Sequence, residues 1–561
     1  MNQSRTPLTW SLIIIVGFLT LCPVLMLVLG SFSQGLTAFG DFTTAKYVAA
    51  YTDPFLFEVT LNTIIFVVGS SVFSTVLAVF LAYLNTRTNM PLKGMFTVLS
   101  IVPMMIPHLL FSVSWALLLN PSNGLLNMML QSGFGLEEAP FNIYSLWGMI
   151  LVEGLLNMPI AYLIIAPAMA SFDVSLEESS RVFGASVWRT LVRITLPVLR
   201  PAILAAFILA IVRSLASYAV PRVLGTPGRV DVLATYLYEM ISTGFAPDYG
   251  KAAALGMSVL SASIGLIVLY RYLTAESGKY VTISSRGFKP TLIELNKAKL
   301  PLFIIVGVLS LLMIVLPVAV LFYTSLIPYS MVPSAKAFSM MSWAHWIDVI
   351  QDPLSQLAMR NSLYLAIVGA TLGVILSLFV AYVVVKLKTR AAGLLDTLSF
   401  LSFSFPGIVI GIGFMWFFVQ TPLYATLTAL LLAYIAAYLP YGIRPLSAAF
   451  VQIHSHLEES SQVSGASSLT TMRRIIVPLL IPGVVSAWIL MATMYIRELT
   501  VSVVLSRPGT EVLAVQILSF AEDGLWGKLS ALGIIMILIS TVLVLLAMYI
   551  GNYYKRRQGL S

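Results

Sequence analysis

Two glutamates open the same phrase, written twice in the chain. Glu178-Ser179-Ser180 is followed by Gly184, and Glu459-Ser460-Ser461 by Gly465. Each phrase runs on through an arginine and two prolines: Arg193, Pro197 and Pro201 in the first copy, Arg474, Pro478 and Pro482 in the second, 281 residues apart throughout. A carboxylate among small hydroxyl side chains on a polar island is suited to pairing with a basic group of another molecule. Ser175 and Ser455 stand three residues before Glu178 and Glu458. That spacing fits a capping box, in which serine and glutamate satisfy the orphan amides of a helix start. Each phrase is therefore expected to form a short surface helix, about 175–190 and 456–471, with the glycine permitting a turn or close backbone contact.

Other candidates lie within or beside apolar runs. Arg497 and Glu498 are adjacent charges at the end of one run, and Glu153 lies inside another. Ionisable residues at membrane depth usually face a cavity or each other. These three, with Tyr218, are the expected pathway residues; for Arg497 the plainer alternative is snorkelling to the headgroups. Arg213 and Arg444 read as structural or interfacial. His108, His345, His454 and His456 are scattered and predict no metal site, and the 24 methionines read as packing. No catalytic cluster is visible.

The elements that hold these residues must span a membrane. The chain is 59% hydrophobic and 10% charged, with mean hydropathy +0.94, whereas soluble domains carry about 25% charged residues. Twelve apolar segments are long enough to cross, at about 9–31, 59–84, 95–119, 145–170, 198–218, 252–273, 300–324, 362–385, 396–418, 423–450, 480–499 and 529–551. The first is too long for the core of a signal peptide and is read as a span. Cys22, the only cysteine, reads as an inert apolar residue. With both termini inside, 21 of the 32 basic residues fall on inner loops and ends. The net charge of +9 is thus a topology signal, and its dispersal argues against a nucleic-acid partner.

The duplication reaches beyond the two phrases. Asp53-Pro54, Asn62, Ala82-Tyr83 and Pro107 return as Asp352-Pro353, Asn361, Ala381-Tyr382 and Pro406, at an offset of 299. The offset is 281 by Pro159 and Pro440, so the first half carries an insertion, placed in Asn120 to Ser145 on the outer side. Two repeats of six segments, 1–288 and 289–561, enter the membrane in the same orientation, joined by an inner linker from Glu276 to Lys299.

The twin phrases resemble the coupling loop of binding-protein-dependent ABC importer permeases. The likeness runs through Glu178-Ser179-Ser180, Gly184, Ile194, Leu196 and Pro197, and again through Glu459-Ser460-Ser461, Gly465, Ile475, Val477 and Pro478. Serines stand where that family has alanines, and Val477 where it has leucine. The resemblance implies an all-α membrane protein of the type I importer permease kind, with twelve transmembrane helices in two parallel six-helix repeats. It also implies that Glu178, Gly184, Glu459 and Gly465 seat the loop helices in clefts of two ATPase subunits. The chain lacks a Gly-x-x-x-x-Gly-Lys-Ser/Thr phosphate loop. ATP and magnesium are therefore expected on the partner ATPases, no cofactor on this chain, and the solute receptor on a separate external binding protein. Tandem permeases of this length resemble the ferric-iron subgroup, through Arg497-Glu498-Leu499 and the loop to Val515. Phosphonate, thiamine and polyamine remain open as cargo. A twelve-segment secondary transporter is the alternative of another class, but it gives the duplicated inner helix no role.

Overall fold

The structure is a computed structural model that describes residues 5–34, 41–171, 173–242, 247–275, 292–387, 389–454 and 456–557. The expected repeat boundary near residue 288, most of the linker, and Ser455 lie outside the described residues. Helices are the only extended elements among the described residues. Lipid offers no partners for backbone amides and carbonyls, so a chain of this hydropathy must satisfy them within helices.

Among the described residues, nine helices are long and apolar enough to cross a membrane: Pro7–Phe32, Leu56–Arg87, Leu146–Ser171, Tyr249–Leu273, Asn296–Leu326, Pro353–Leu387, Leu427–Gln452, Met472–Ile496 and Trp526–Tyr554. Two bent pairs raise this to eleven: Lys93–Met105 with His108–Leu119, bent by 100°, and Val187–Val198 with Arg200–Leu215, bent by 72°. The remaining expected segment, 396–418, is divided between Arg390–Leu401 and the short apolar helix Gly407–Phe418. The count of twelve is therefore met only if this broken segment also crosses. The duplicated prolines mark the breaks. Pro107 and Pro406 are the extended N-cap residues of His108–Leu119 and Gly407–Phe418, at ψ 136 in both. The sequence reading used these prolines as repeat markers and missed that each divides a helix.

The described residues form two compact units. One holds Met1–Thr52, Leu237–Leu260 and Ala344–Ser561; the other holds Asp53–Tyr236 and Ser261–Trp343. The first segment of each repeat has thus been exchanged. Within the former unit, Arg5–Phe32 packs on Gly407–Phe418 so closely that a Cβ on Gly413 would lie 2.2 Å from the Pro23 carbonyl oxygen. Within the latter, Ser114 on His108–Leu119 donates to the Pro317 carbonyl at 3.0 Å, and Phe303 packs edge-on against Phe96.

One clamp is built the same way in each repeat. Asn62 donates to the Asp231 carbonyl at 3.3 Å, and Thr63 Oγ1 accepts from the Leu233 amide at 2.8 Å. Asn361 donates to the Glu511 carbonyl at 2.9 Å, and Ser362 Oγ accepts from the Leu513 amide at 2.8 Å. The loop after each fifth segment is thereby tied to the start of the second. Asn361→Ala should cost about 1 kcal/mol, because it removes the donor from the part-buried Glu511 carbonyl. A lowered melting temperature of the purified protein is the expected reading.

Outside the membrane segments, Lys46 Nζ meets Asp248 at 2.9 Å. Burial alone would push the Asp248 carboxyl up, but the Lys251 amide and Lys46 together hold it below its usual range. A depressed carboxylate stabilises above its unfolded pKa of about 3.9 and loses that contribution as pH falls through the folded value. The Asp248 carboxylate therefore stays ionised at physiological pH.

Candidate functional site: twin hairpins and two buried carboxylates

The twin phrases fold into helical hairpins. In the first, Ser175–Val182 turns at Gly184 into Val187–Thr190. In the second, His456–Val463 turns at Gly465 into Ser468–Thr471. The expected single helices are each broken at the glycine, for a backbone reason. Gly184 and Gly465 have φ of +81 and +84, a left-handed conformation that glycine adopts without steric cost. The Ala185 amide reaches back to the Ser180 carbonyl, and the Ala466 amide to that of Ser461, both at 3.1 Å. This is the glycine-terminated helix end of a Schellman motif.

The capping box expected at Ser175 and Glu178 does not form. The helix begins one residue earlier, with Val174 as N-cap and no side-chain cap, while the Ser175 amide donates to Asp173 Oδ1 at 3.0 Å. Asp173 thereby takes the amide that the Glu178 side chain would accept in a capping box.

The serines that replace the family's alanines have a use. Ser180 Oγ bonds Thr190 Oγ1 at 3.0 Å, and Ser461 Oγ bonds Thr471 Oγ1 at 2.8 Å, closing each hairpin at its base. Ser186 and Ser467 then cap the second helices through the amides of Arg189 and Thr470. A serine and a threonine ten residues apart, in both copies, was the sequence signal for this clasp. Glu178 is half-buried, while Ser179, Glu459 and Ser460 are exposed. Glu459 pairs with His456 Nδ1 at 3.1 Å.

Sequence reasoning missed Glu177. Its side chain is buried, with Oε2 3.6 Å from Arg87 Nε and Oε1 accepting from Thr195 at 2.6 Å. It anchors the hairpin to the end of Leu56–Arg87.

The expected pathway residues fall into two separate clusters, one in each unit. Glu153 is 1% exposed and accepts from Asn157 at 3.0 Å and from Ser217 at 2.7 Å. Tyr218, beside Ser217, is likewise buried. In the other cluster Glu498 is 2% exposed and caps the helix Thr500–Leu505. Its carboxylate accepts from the amides of Val501 and Ser502 at 2.8 and 2.9 Å, and from Ser502 Oγ at 2.6 Å. Tyr434 bonds the same Ser502. At the offset of 281, Glu153 corresponds to Tyr434 and Ser217 to Glu498. Each repeat therefore buries one carboxylate between its fourth and fifth segments, but from opposite sides. Arg497, half-buried, lies 3.0 Å from Met494 Sδ. Arg444 meets Asp396 at 3.6 Å and covers the Phe400 ring.

The family profile of the binding-protein-dependent transport system inner membrane component matches residues 74–276 and again 373–559. The chain belongs to this family. Both copies include a hairpin, so the duplication read from the twin phrases is a duplication of the whole permease domain. The permease is 27% identical over 549 residues to a ferric transport system permease protein of Actinobacillus pleuropneumoniae, covering 95% of this chain and 76% of that one. It is 26% identical over 556 residues to an Fe(3+)-transport system permease protein of Haemophilus influenzae, covering 97% and 98%. A spermidine/putrescine transport system permease protein of Haemophilus influenzae is 30% identical over 211 residues, 37% of this chain and 81% of that one. The permease is an all-α, multi-pass inner-membrane transporter subunit, not an enzyme.

Proposed function

We infer that this permease forms the membrane pathway of an ATP-driven importer that takes ferric iron from an external binding protein into the cytoplasm. The observation that carries the reading is the pair of hairpins with matching turns and clasps, in a chain whose near-full-length relatives are ferric permeases. A secondary transporter has no use for two such hairpins. Two copies of a cytoplasmic ATPase dock on them, one each, with ATP and magnesium bound there. Their closure biases the permease between states open to either side, so that the hairpins couple hydrolysis to access. Glu178 and Glu459 supply the carboxylates that meet basic groups of the ATPases. Ser179, Ser180, Ser460 and Ser461 shape the contact, and Gly184 and Gly465 set its angle. Glu153, Tyr218, Arg497 and Glu498 border the pathway. The spermidine/putrescine relative favours a polyamine as the second reading.

Uptake by the importer reconstituted with its ATPase and binding protein separates these cargoes. Radiolabelled ferric iron should accumulate, and spermidine, phosphonate and thiamine should not. Accumulation of an organic cargo instead would overturn the ferric reading.

Both termini and the linker face the cytoplasm in this reading, and the 124–138 region faces outward. Ser122→Cys and Ser284→Cys, in a Cys22→Ser background, should react with an impermeant thiol reagent from opposite sides. Reaction from one side alone would break the arrangement of six plus six segments.

A further inference from the structure

Each repeat leads into its second segment through a short helix whose two faces differ. Ala45–Tyr51 precedes Leu56–Arg87, and Ala344–Gln351 precedes Pro353–Leu387. At the offset of 299, Val48, Ala50 and Tyr51 correspond to Ile347, Val349 and Ile350. Ala50 and Val349 are fully buried, whereas Val48, Tyr51, Ile347 and Ile350 are each more than half exposed. Residues three apart share a helix face. Each helix therefore turns one face to the protein and a bare apolar stripe away from it.

The protein-facing side is held in the same way in both copies. Tyr249-Gly250-Lys251 opens the sixth segment of the first repeat, and Trp526-Gly527-Lys528 that of the second. The glycine lets the short helix come close. A Cβ on Gly250 would lie 3.1 Å from Lys46 Cγ, and one on Gly527 would lie 2.3 Å from His345 Nε2. Lys46 and His345 are again 299 residues apart. A salt bridge fixes each helix with the signs reversed: Lys46 meets Asp248 at 2.9 Å, and Asp348 meets Lys528 at 3.4 Å. Tyr51 also bonds Ser258, and Tyr47 packs on Phe32, at the end of the first span, with ring centres 5.0 Å apart. The short helices are thus fixed at the level where spans begin and end.

That level is the membrane boundary opposite the hairpins. Lys386, at the far end of Pro353–Leu387, donates to the Ile453 carbonyl at 2.8 Å, beside the second hairpin. The span between has 35 residues, a helix about 50 Å long, so Ala344–Gln351 stands across the bilayer from that hairpin. The exposed stripe does not stop at the short helix. It runs on through Leu354, Tyr364, Ile367 and Leu372 along the flank of the span, a flank that faces lipid. Gln356 and Arg360 are the exposed polar residues of its first two turns, and both are long enough to reach headgroups. An apolar surface that passes from such a flank onto a short helix at the end of the span marks a helix lying in the interface. The exposed Tyr51 ring suits the aromatic belt at that depth.

We propose that Ala45–Tyr51 and Ala344–Gln351 are twin interfacial helices whose partner is the bilayer surface on the side away from the hairpins. Their apolar stripes sink about 5–10 Å into the boundary between headgroups and acyl chains. Because each helix is clamped to the start of a sixth segment, each sets the depth of that segment in the membrane. The external binding protein would be a different cover, but a soluble partner does not extend onto flanks that lipid occupies. Such anchoring serves any cargo alike.

The test places a fluorescent thiol label on Val48→Cys or on Ile347→Cys, each in a Cys22→Ser background. The complete importer is reconstituted in vesicles of phosphatidylethanolamine and phosphatidylglycerol. Lipid brominated on its acyl chains should at least halve the emission of both labels, and iodide on both sides of the membrane should leave it nearly unchanged. A label on Ser122→Cys, on an exposed turn, gives the aqueous limit. Iodide quenching of either stripe label to the level of Ser122→Cys overturns the proposal. So does protection of either from both quenchers, which would mean that protein covers the stripe. If a labelled variant does not assemble, Tyr51→Cys and Ile350→Cys, on the same faces, decide.

Discussion

Glu177→Ala is expected to damage the permease more than Glu178→Ala, although Glu178 fits the family pattern. Glu177 and Arg87 are both about 3% exposed and lie 3.6 Å apart. Removing one partner of a buried ion pair leaves an uncompensated charge and costs about 3–5 kcal/mol. The Thr195 hydroxyl loses its acceptor as well. The first hairpin should come loose from the end of Leu56–Arg87. The melting temperature of the purified permease should fall, and ATPase co-purification with it. Glu178→Ala should leave the melting temperature near wild type. Equal melting temperatures for the two variants would mean that the hairpin is held by other contacts.

Glu178→Ala combined with Glu459→Ala is the second large effect expected. Neither side chain is buried, so the double variant should insert and fold normally. Transport should nonetheless fall at least tenfold, because each ATPase loses its charged contact. The single variants should differ. The first hairpin also presents Phe183 and Trp188, 90% and 72% exposed, and the second has Ser464 in place of the phenylalanine. Apolar anchors of that kind carry much of the affinity of a docking surface. Glu459→Ala should therefore be the more harmful single change. Normal transport by the double variant would remove these glutamates from the coupling mechanism.

The hairpins were readable from the chain because duplication supplied an internal control. The same spacing in two places cannot easily be accidental, and glycine at the same step of each copy pointed to a turn. The choice between Glu177 and Glu178 was not readable in the same way. Both copies have two successive glutamates, and only Arg87, some ninety residues earlier, shows which one turns inward. The capping contact of Glu498 was not readable, because nothing in the apolar run shows that the chain restarts as Thr500–Leu505, whose amides take its carboxylate. The partners of Arg213 were not readable because they sit on two other segments, Asn157 on Leu146–Ser171 and His108 at the start of His108–Leu119.

The exchange of first segments governs the order in which the protein can be made. Arg5–Phe32 leaves the ribosome early, yet the glycine that lets it pack, Gly413, is synthesised roughly 400 residues later. At about 5–20 residues per second, that is a delay of about 20–80 seconds. Through this time the segment must persist as a lone helix in lipid, its packing face uncovered. Had the two repeats been separate chains, that wait would have ended only with an encounter between molecules. Joined in one chain, the partner arrives tethered, at an effective concentration set by the linker and not by expression level.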